Sequence, residues 1–172
     1  MTAPVNQNMN QRTEIRAGLV EVDALHIIGV SCVTSNKNEQ AAQDINALWE
    51  RVFKEQIGQQ IEGKIDDIIY CVYSDYEGDH DAPYRVTIGY RVQEKPQHMG
   101  DLTYALIENG QYAMMSACGA QPQALIETWE AIWGGDLERR FKTDFEVYGP
   151  RFFEDGVHEV LVHVGINVDE ST

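Results

Sequence analysis

Apolar positions along the chain alternate between two spacings, and the changes of spacing mark out its elements. From about Val20 to Thr34, VEVDALHIIGVSCVT is rich in β-branched residues and predicts extended chain. NEQAAQDINALWERVFKEQI follows with a helical period. Ile45, Leu48, Trp49, Val52, Phe53 and Ile57 fall at i, i+3, i+4, i+7, i+8 and i+12, a complete apolar stripe. DIIYCVYSDY and YRVTIGYRV then predict two strands separated by the turn-rich acidic loop EGDHDAP. In LTYALIENGQYAMMSAC, ENGQ lies between two β-like arms, the signal of a tight hairpin. Pro122 opens a second helix, where a missing N–H costs nothing. Leu125, Trp129, Ile132 and Trp133 form its predicted inner face, and Gly134-Gly135 end it. TDFEVYG and EVLVHVGINV are the last predicted strands.

The second half repeats the first. Trp49-Glu50-Arg51-Val52-Phe53, Tyr70-Cys71-Val72-Tyr73 and Val86-Thr87-Ile88-Gly89 recur, about 75–80 residues later and in the same order, as Trp129-Glu130-Ala131-Ile132-Trp133, Phe145-Glu146-Val147-Tyr148 and Val162-His163-Val164-Gly165. The pattern predicts an α+β fold of duplicated β-α-β-β modules with pseudo-two-fold symmetry. A lone unit could not cover its own sheet, so the two share one antiparallel sheet whose two main helices flank a ligand cleft. Residues 18–168 are expected to form a single domain, module one spanning about 18–94 and module two about 100–168. Residues 1–17, polar and rich in Asn and Gln, are expected to be a flexible tail.

Charge narrows the function. Twenty-eight acidic against 13 basic residues give a net charge of −15, the opposite of a nucleic-acid surface and suited to cationic ligands or basic partners. Cys32, Cys71 and Cys118 are widely spaced in apolar runs and form no CxxC pair, so core thiols in a cytoplasmic protein are expected. No membrane span or apolar signal core is read.

Glu146 raises the sharpest question. In TDFEVYG, residues 144, 146 and 148 share one strand face, and 145 and 147 the other. The repeat puts Cys71 where the second module has Glu146. A thiol packs as a small hydrophobe, so the slot reads as inward, where an ion costs on the order of several kcal/mol unless paired or protonated. Parity alone does not name the buried face, because Phe145 and Val147 are apolar too. The alternatives are an ion pair with Arg139 or Arg140, or an outward-pointing carboxylate. The rings able to share a cleft with this acid are Trp49, Tyr73, Tyr90, Trp129 and Tyr148. Aromatic faces attract cations by roughly 0.5–2 kcal/mol each, although core packing is the ordinary work of a helical tryptophan. Tyr73 and Tyr90 are favoured as cleft residues, since a buried phenol needs a hydrogen-bond partner.

Other chemistry finds little support. Asp75, Glu77, Asp79 and Asp81 alternate around a glycine, but that Gly and the closing Glu are misplaced for a calcium loop, so an exposed acidic hairpin is expected. His26, His80, His98, His158 and His163 form no HxxxH or HxH pair, and His163, opposite in parity to Val162 and Val164, reads as a surface residue. No GxSxG elbow or GxxxxGK loop occurs. No catalytic residue, metal ligand or cofactor is assigned.

LHIIGVSCVTSN, INALWERVF, YCVYSDYEGDHDAPYRVTIGYRV, ALIETWEAIW and TDFEVYG followed by EVLVHVGI together resemble the GyrI-like, or AraC-type effector-binding, superfamily, from about Val20 to Val168. The resemblance implies a domain that, in multidrug-responsive transcription regulators, binds lipophilic cations and meets their charge with an acid late in the second module; Glu146 stands at the matching position. No helix-turn-helix is read here. The expectation is a stand-alone, non-enzymatic effector-binding protein for a small cationic or amphipathic ligand, with Glu146, Tyr73, Tyr90, Tyr148, Trp49 and Trp129 as the site. The alternatives are a Glu/Tyr hydrolase of a reactive small molecule, as the superfamily also contains, and an acidic interaction module such as a gyrase modulator. Phe145 and Val147 would offer an outer apolar face to a homodimer.

Overall fold

The computed structural model describes residues 18–78, 82–135 and 137–167, so the expected tail lies outside the described residues. The strands are β1 (Gly18–Val22), β2 (Leu25–Thr34), β3 (Ile69–Ser74), β4 (Tyr84–Val92), β5 (Thr103–Ile107), β6 (Gly110–Ala117), β7 (Arg139–Tyr148) and β8 (Val160–Ile166). The helices are α1 (Gln40–Lys54), the single turn α2 (Ile57–Gln60) and α3 (Gln123–Trp133).

All eight strands join one sheet in the order β1-β6-β8-β7-β3-β4-β2-β5, every pairing antiparallel. Reading inward from the two edges matches β1 with β5, β6 with β2, β8 with β4 and β7 with β3. The predicted duplication is therefore an approximate two-fold between β3 and β7, where Cys71 lies directly opposite Glu146. α1 follows β2 and α3 follows β6, so each module places its helix on the same sheet face.

The expected hairpin at ENGQ does not form. β5 pairs with β2, whereas β6 pairs with β1 and β8. A type I′ turn needs positive φ at both central residues, and of Asn109 and Gly110 only Gly110 has it, at 150°. The extended run from Val20 to Thr34 likewise breaks at Asp23-Ala24, and β1 pairs not with β2 but with β6. Each half thus lends its first strand to the other half's sheet.

Both faces are covered. On one, Ile28, Val30, Ile69, Cys71, Val86, Ile88, Met115 and Val162 pack with Leu48, Val52 and Ile57 of α1 and α2 and with Ile132 of α3. Gln56 adopts a left-handed conformation (φ 52°) and ends the long helix, so Ile57 continues the predicted stripe from a separate turn. In α3 the residues packed down are Ala124, Thr128 and Ile132. The expected inner residues Leu125, Trp129 and Trp133 sit one position round the helix, on its cleft flank.

The other face holds Ile27, Tyr70, Val72, Ala105, Ile107, Tyr112 and Phe145, and β5 touches β3 and β7 there without pairing to them. Phe145 is consequently 2% exposed and belongs to this core rather than to an outer surface open to a second copy. His163 also departs from its expected surface position: its ring stacks on Phe145 at 4.2 Å, with 6° between the planes. Its parity is as predicted, but the second face is not solvent. Burial lowers its pKa from 6.5 to about 4. The unfolded chain therefore binds more protons at this residue between these values, and the stability that His163 contributes is lost as pH drops from about 6.5 to about 4. Urea unfolding of wild type and His163→Phe at stepped pH should show it as a difference between the two that changes across this range.

Candidate functional site: an acid beneath an aromatic cleft

α1 and α3 stand apart on the sheet and leave a cavity of about 520 Å³ between them. Trp49 and Phe53 line it from α1, and Leu125, Trp129 and Trp133 from α3. Tyr73, Tyr84, Glu146 and Tyr148 rise from the strands below. Tyr76 and Arg139 contribute further wall, as do Phe152 and Phe153, which follow β7. Phe53 and Phe153 are 56% and 58% exposed, which puts an apolar rim on the cleft.

Strand parity explains the floor. Ile69, Cys71 and Tyr73 of β3, and Asp144, Glu146 and Tyr148 of β7, alternate with Tyr70, Val72 and Phe145, which join the opposite core. Glu146 is 1% exposed. Its Oε2 accepts hydrogen bonds from the Tyr73 hydroxyl at 2.6 Å and the Trp129 indole Nε1 at 2.7 Å. Its Oε1 accepts one from the Tyr148 hydroxyl at 2.6 Å. The rings interlock, Tyr73 edge-on to Trp129 at 5.4 Å and Tyr148 edge-on to Trp49 at 4.7 Å. Burial pushes the Glu146 carboxyl above its ordinary value, against the pull of hydrogen bonds from Tyr148, Tyr73, Trp129 and the Cys71 thiol. Burial likewise drives the Tyr73 and Tyr148 phenols well up, so they remain protonated donors.

Neither arginine considered as a partner reaches this acid. Arg140 lies over the Tyr112 ring at 5.1 Å, on the far face. Arg139 pairs through Nη2 with Asp144 Oδ2 at 2.7 Å, their side chains 6% and 0% exposed. Asp144 also accepts from the Tyr76 hydroxyl at 2.5 Å and the Gly165 N–H at 2.8 Å. One negative charge is thus balanced by Arg139, while the groups bonded to Glu146 are all neutral.

Of the residues expected at the site, Glu146, Tyr73, Tyr148, Trp49 and Trp129 converge, and Tyr90 does not. Tyr90 lies at the far end of β4, beneath Lys64 (4.9 Å from nitrogen to ring centre) and against Gly58 of α2. Tyr84 takes the cleft position instead, its hydroxyl donating to Asn36 Oδ1 at 2.6 Å. The two tyrosines share a face, but six strand residues separate them by about 20 Å, so only one can reach the cavity. The sequence also does not identify Tyr76, Asp144 or Phe152, and offers Arg139 only as a partner for Glu146, because their convergence depends on contacts between the modules. Asp79 and Asp81 of the acidic loop lie outside the described residues. Among the described residues no group of three His, Cys, Asp or Glu side chains could hold a metal ion, and no helix is long and apolar enough to cross a membrane.

The arrangement has counterparts in known folds. An integron cassette protein from Vibrio cholerae, VCH_CASS2, superposes with a TM-score of 0.69 at 21% identity, covering 89% of this chain and 97% of that one. SAV2435, solved bound to tetraphenylphosphonium, gives 0.71 at 16% identity over 88% of this chain and 94% of that one. EcmrR, solved with DNA, gives 0.57 at 10% identity over 90% of this chain but 58% of that one. At these identities the likeness shows the fold, which is GyrI-like as the sequence resemblance implied. No curated protein matches the sequence significantly. The model of one family, the integron-associated effector binding proteins (Cass2), matches residues 18–166, and the chain belongs to that family.

Proposed function

We propose that this effector-binding protein takes up a lipophilic cation, seated between α1 and α3 with its positive centre nearest Glu146. The observation that carries the reading is a carboxylate, 1% exposed, held by three neutral donors and, among the described residues, matched with no basic side chain. Such a site is costly in an isolated fold and gains most from a partner bringing positive charge with little bound water. The donors reinforce the effect. A phenol or indole that gives a hydrogen bond to an anion is polarised by it, so the faces of Tyr73, Tyr148 and Trp129 become more electron-rich toward a cation. SAV2435, of the same fold, is bound to tetraphenylphosphonium, which makes that ion the natural first probe. The hydrolytic alternative has its tyrosine within reach of the acid, but it also needs a carboxylate face open to water. Here three of its roughly four lone-pair sites already accept hydrogen bonds.

Titrating the protein with tetraphenylphosphonium while following tryptophan emission tests the reading. Trp49, Trp129 and Trp133 all line the cavity, so a saturable change is expected, unaffected by moderate salt because the charge is shielded from solvent. No saturable response, or one abolished by salt, would refute it.

A further inference from the structure

We infer that the cleft has a second polar subsite at Arg139, so that its preferred ligand carries a hydrogen-bond acceptor as well as a positive centre; this rests on the cationic reading of the cleft. Arg139 lies on the cavity wall with its side chain 6% exposed. A guanidinium presents five N–H bonds in one plane. Nη2 donates to Asp144, whereas Nε and Nη1 are buried without a hydrogen-bond partner. The neighbouring rings do not account for these donors. Phe141, 4.2 Å from the guanidinium carbon, and Tyr76 and Trp129, at 5.8 and 6.0 Å, meet its charge through their faces, and a ring face is a poor substitute for an oxygen lone pair. Buried donors left unpaired are rare and costly, and a cavity beside them offers the missing acceptor a place.

The subsite is electrically compatible with a cation. Asp144 balances Arg139, leaving Glu146 to set the sign of the cleft. Asp144 and Glu146 are two residues apart on one strand face, about 7 Å, and Trp129 stands between the two ends, bonded to Glu146 and 6.0 Å from the Arg139 guanidinium. Binding there requires Trp129 or Tyr76, whose polar ends are bonded to Glu146 and Asp144, to move aside from the Arg139 donors. The ligand class is a lipophilic cation with a carbonyl, ether or similar acceptor about that distance from the charge.

Two probes of matched shape decide it: tetraphenylphosphonium, which has no acceptor, and the same ion with a methyl ester para on one ring, its carbonyl oxygen at a comparable distance from phosphorus. Wild-type protein should bind the ester about tenfold more tightly, the scale of one hydrogen bond to a charged group. Arg139→Lys keeps a charge for Asp144 but takes away the fixed plane that holds Nε and Nη1 beside the cavity, and should bring the ratio of the two affinities close to one. If that variant fails to fold, Arg139→Met combined with Asp144→Asn removes both charges together and carries the same expectation. Equal affinities in wild type, or a preference that survives in the variants, would overturn the subsite while leaving the cation site intact. Failure of both ions to bind wild type would overturn the cationic reading and the subsite with it.

Discussion

Replacing Glu146 with glutamine is expected to weaken tetraphenylphosphonium binding by about thirtyfold or more. Removing one member of a desolvated charge pair typically costs at least about 2 kcal/mol, and the side chain keeps nearly the same volume, so the cleft should persist. Fluorescence titration or calorimetry of Glu146→Gln checks this, and an affinity within about threefold of wild type would show that the acid does not recognise the ligand. The same residue sets a pH dependence. The probe ion does not titrate, and the Glu146 carboxyl is raised in the folded protein. Affinity should therefore climb as pH rises through that raised value and then level off. The Glu146 contribution to the stability of the ligand-free protein should move the other way, and against that of His163 over the same range. The folded state holds this proton over a range where the unfolded chain has lost it, so the stability that Glu146 contributes declines as pH rises from the ordinary carboxylate value to the raised one. In Glu146→Gln the affinity slope should vanish, and the wild-type-minus-variant difference in stability should carry the Glu146 part alone.

The second large effect concerns stability. Asp144→Ala removes the carboxylate that accepts from Arg139, Tyr76 and the Gly165 N–H and leaves a guanidinium buried without its counter-charge. Deleting one partner of a buried ion pair costs about 3–5 kcal/mol, a large share of the stability of a domain this size. Chemical denaturation should show the midpoint falling by the corresponding amount. Asp144→Asn, which keeps one acceptor oxygen for the Gly165 N–H, should lose less. An Asp144→Ala protein as stable as wild type would mean that this pair is not closed off from water.

Local pattern carried much of this architecture. The stripe from Ile45 to Val52 and the parity of Tyr73, Glu146 and Tyr148 are properties of single elements, and the repeat placed Cys71 and Glu146 at equivalent positions before their direct pairing was seen. What escaped was whatever depends on two modules meeting. Asn109-Gly110 has the composition of a hairpin, but strand exchange between halves overrides it. Tyr84 and Tyr90 are indistinguishable by parity, and only the positions of α1 and α3 decide which one reaches the cavity. His163 alternates correctly, yet its face is covered by a second core that includes β5, a strand lent from across the sheet. Arg139 was weighed as a partner for Glu146, when the nearer acid on the same face is Asp144.

The meeting of Cys71 and Glu146 across the central strand pair bears on how such a receptor can arise. At a symmetry axis, whatever one half contributes the other must mirror, so an assembly of two identical half-length chains would set two carboxylates against each other, roughly 5 Å apart, or have none at all. Covalent fusion lifts that constraint. A single tandem polypeptide can let one copy keep a thiol while its twin acquires an anion, and directional recognition of an asymmetric guest becomes available only then.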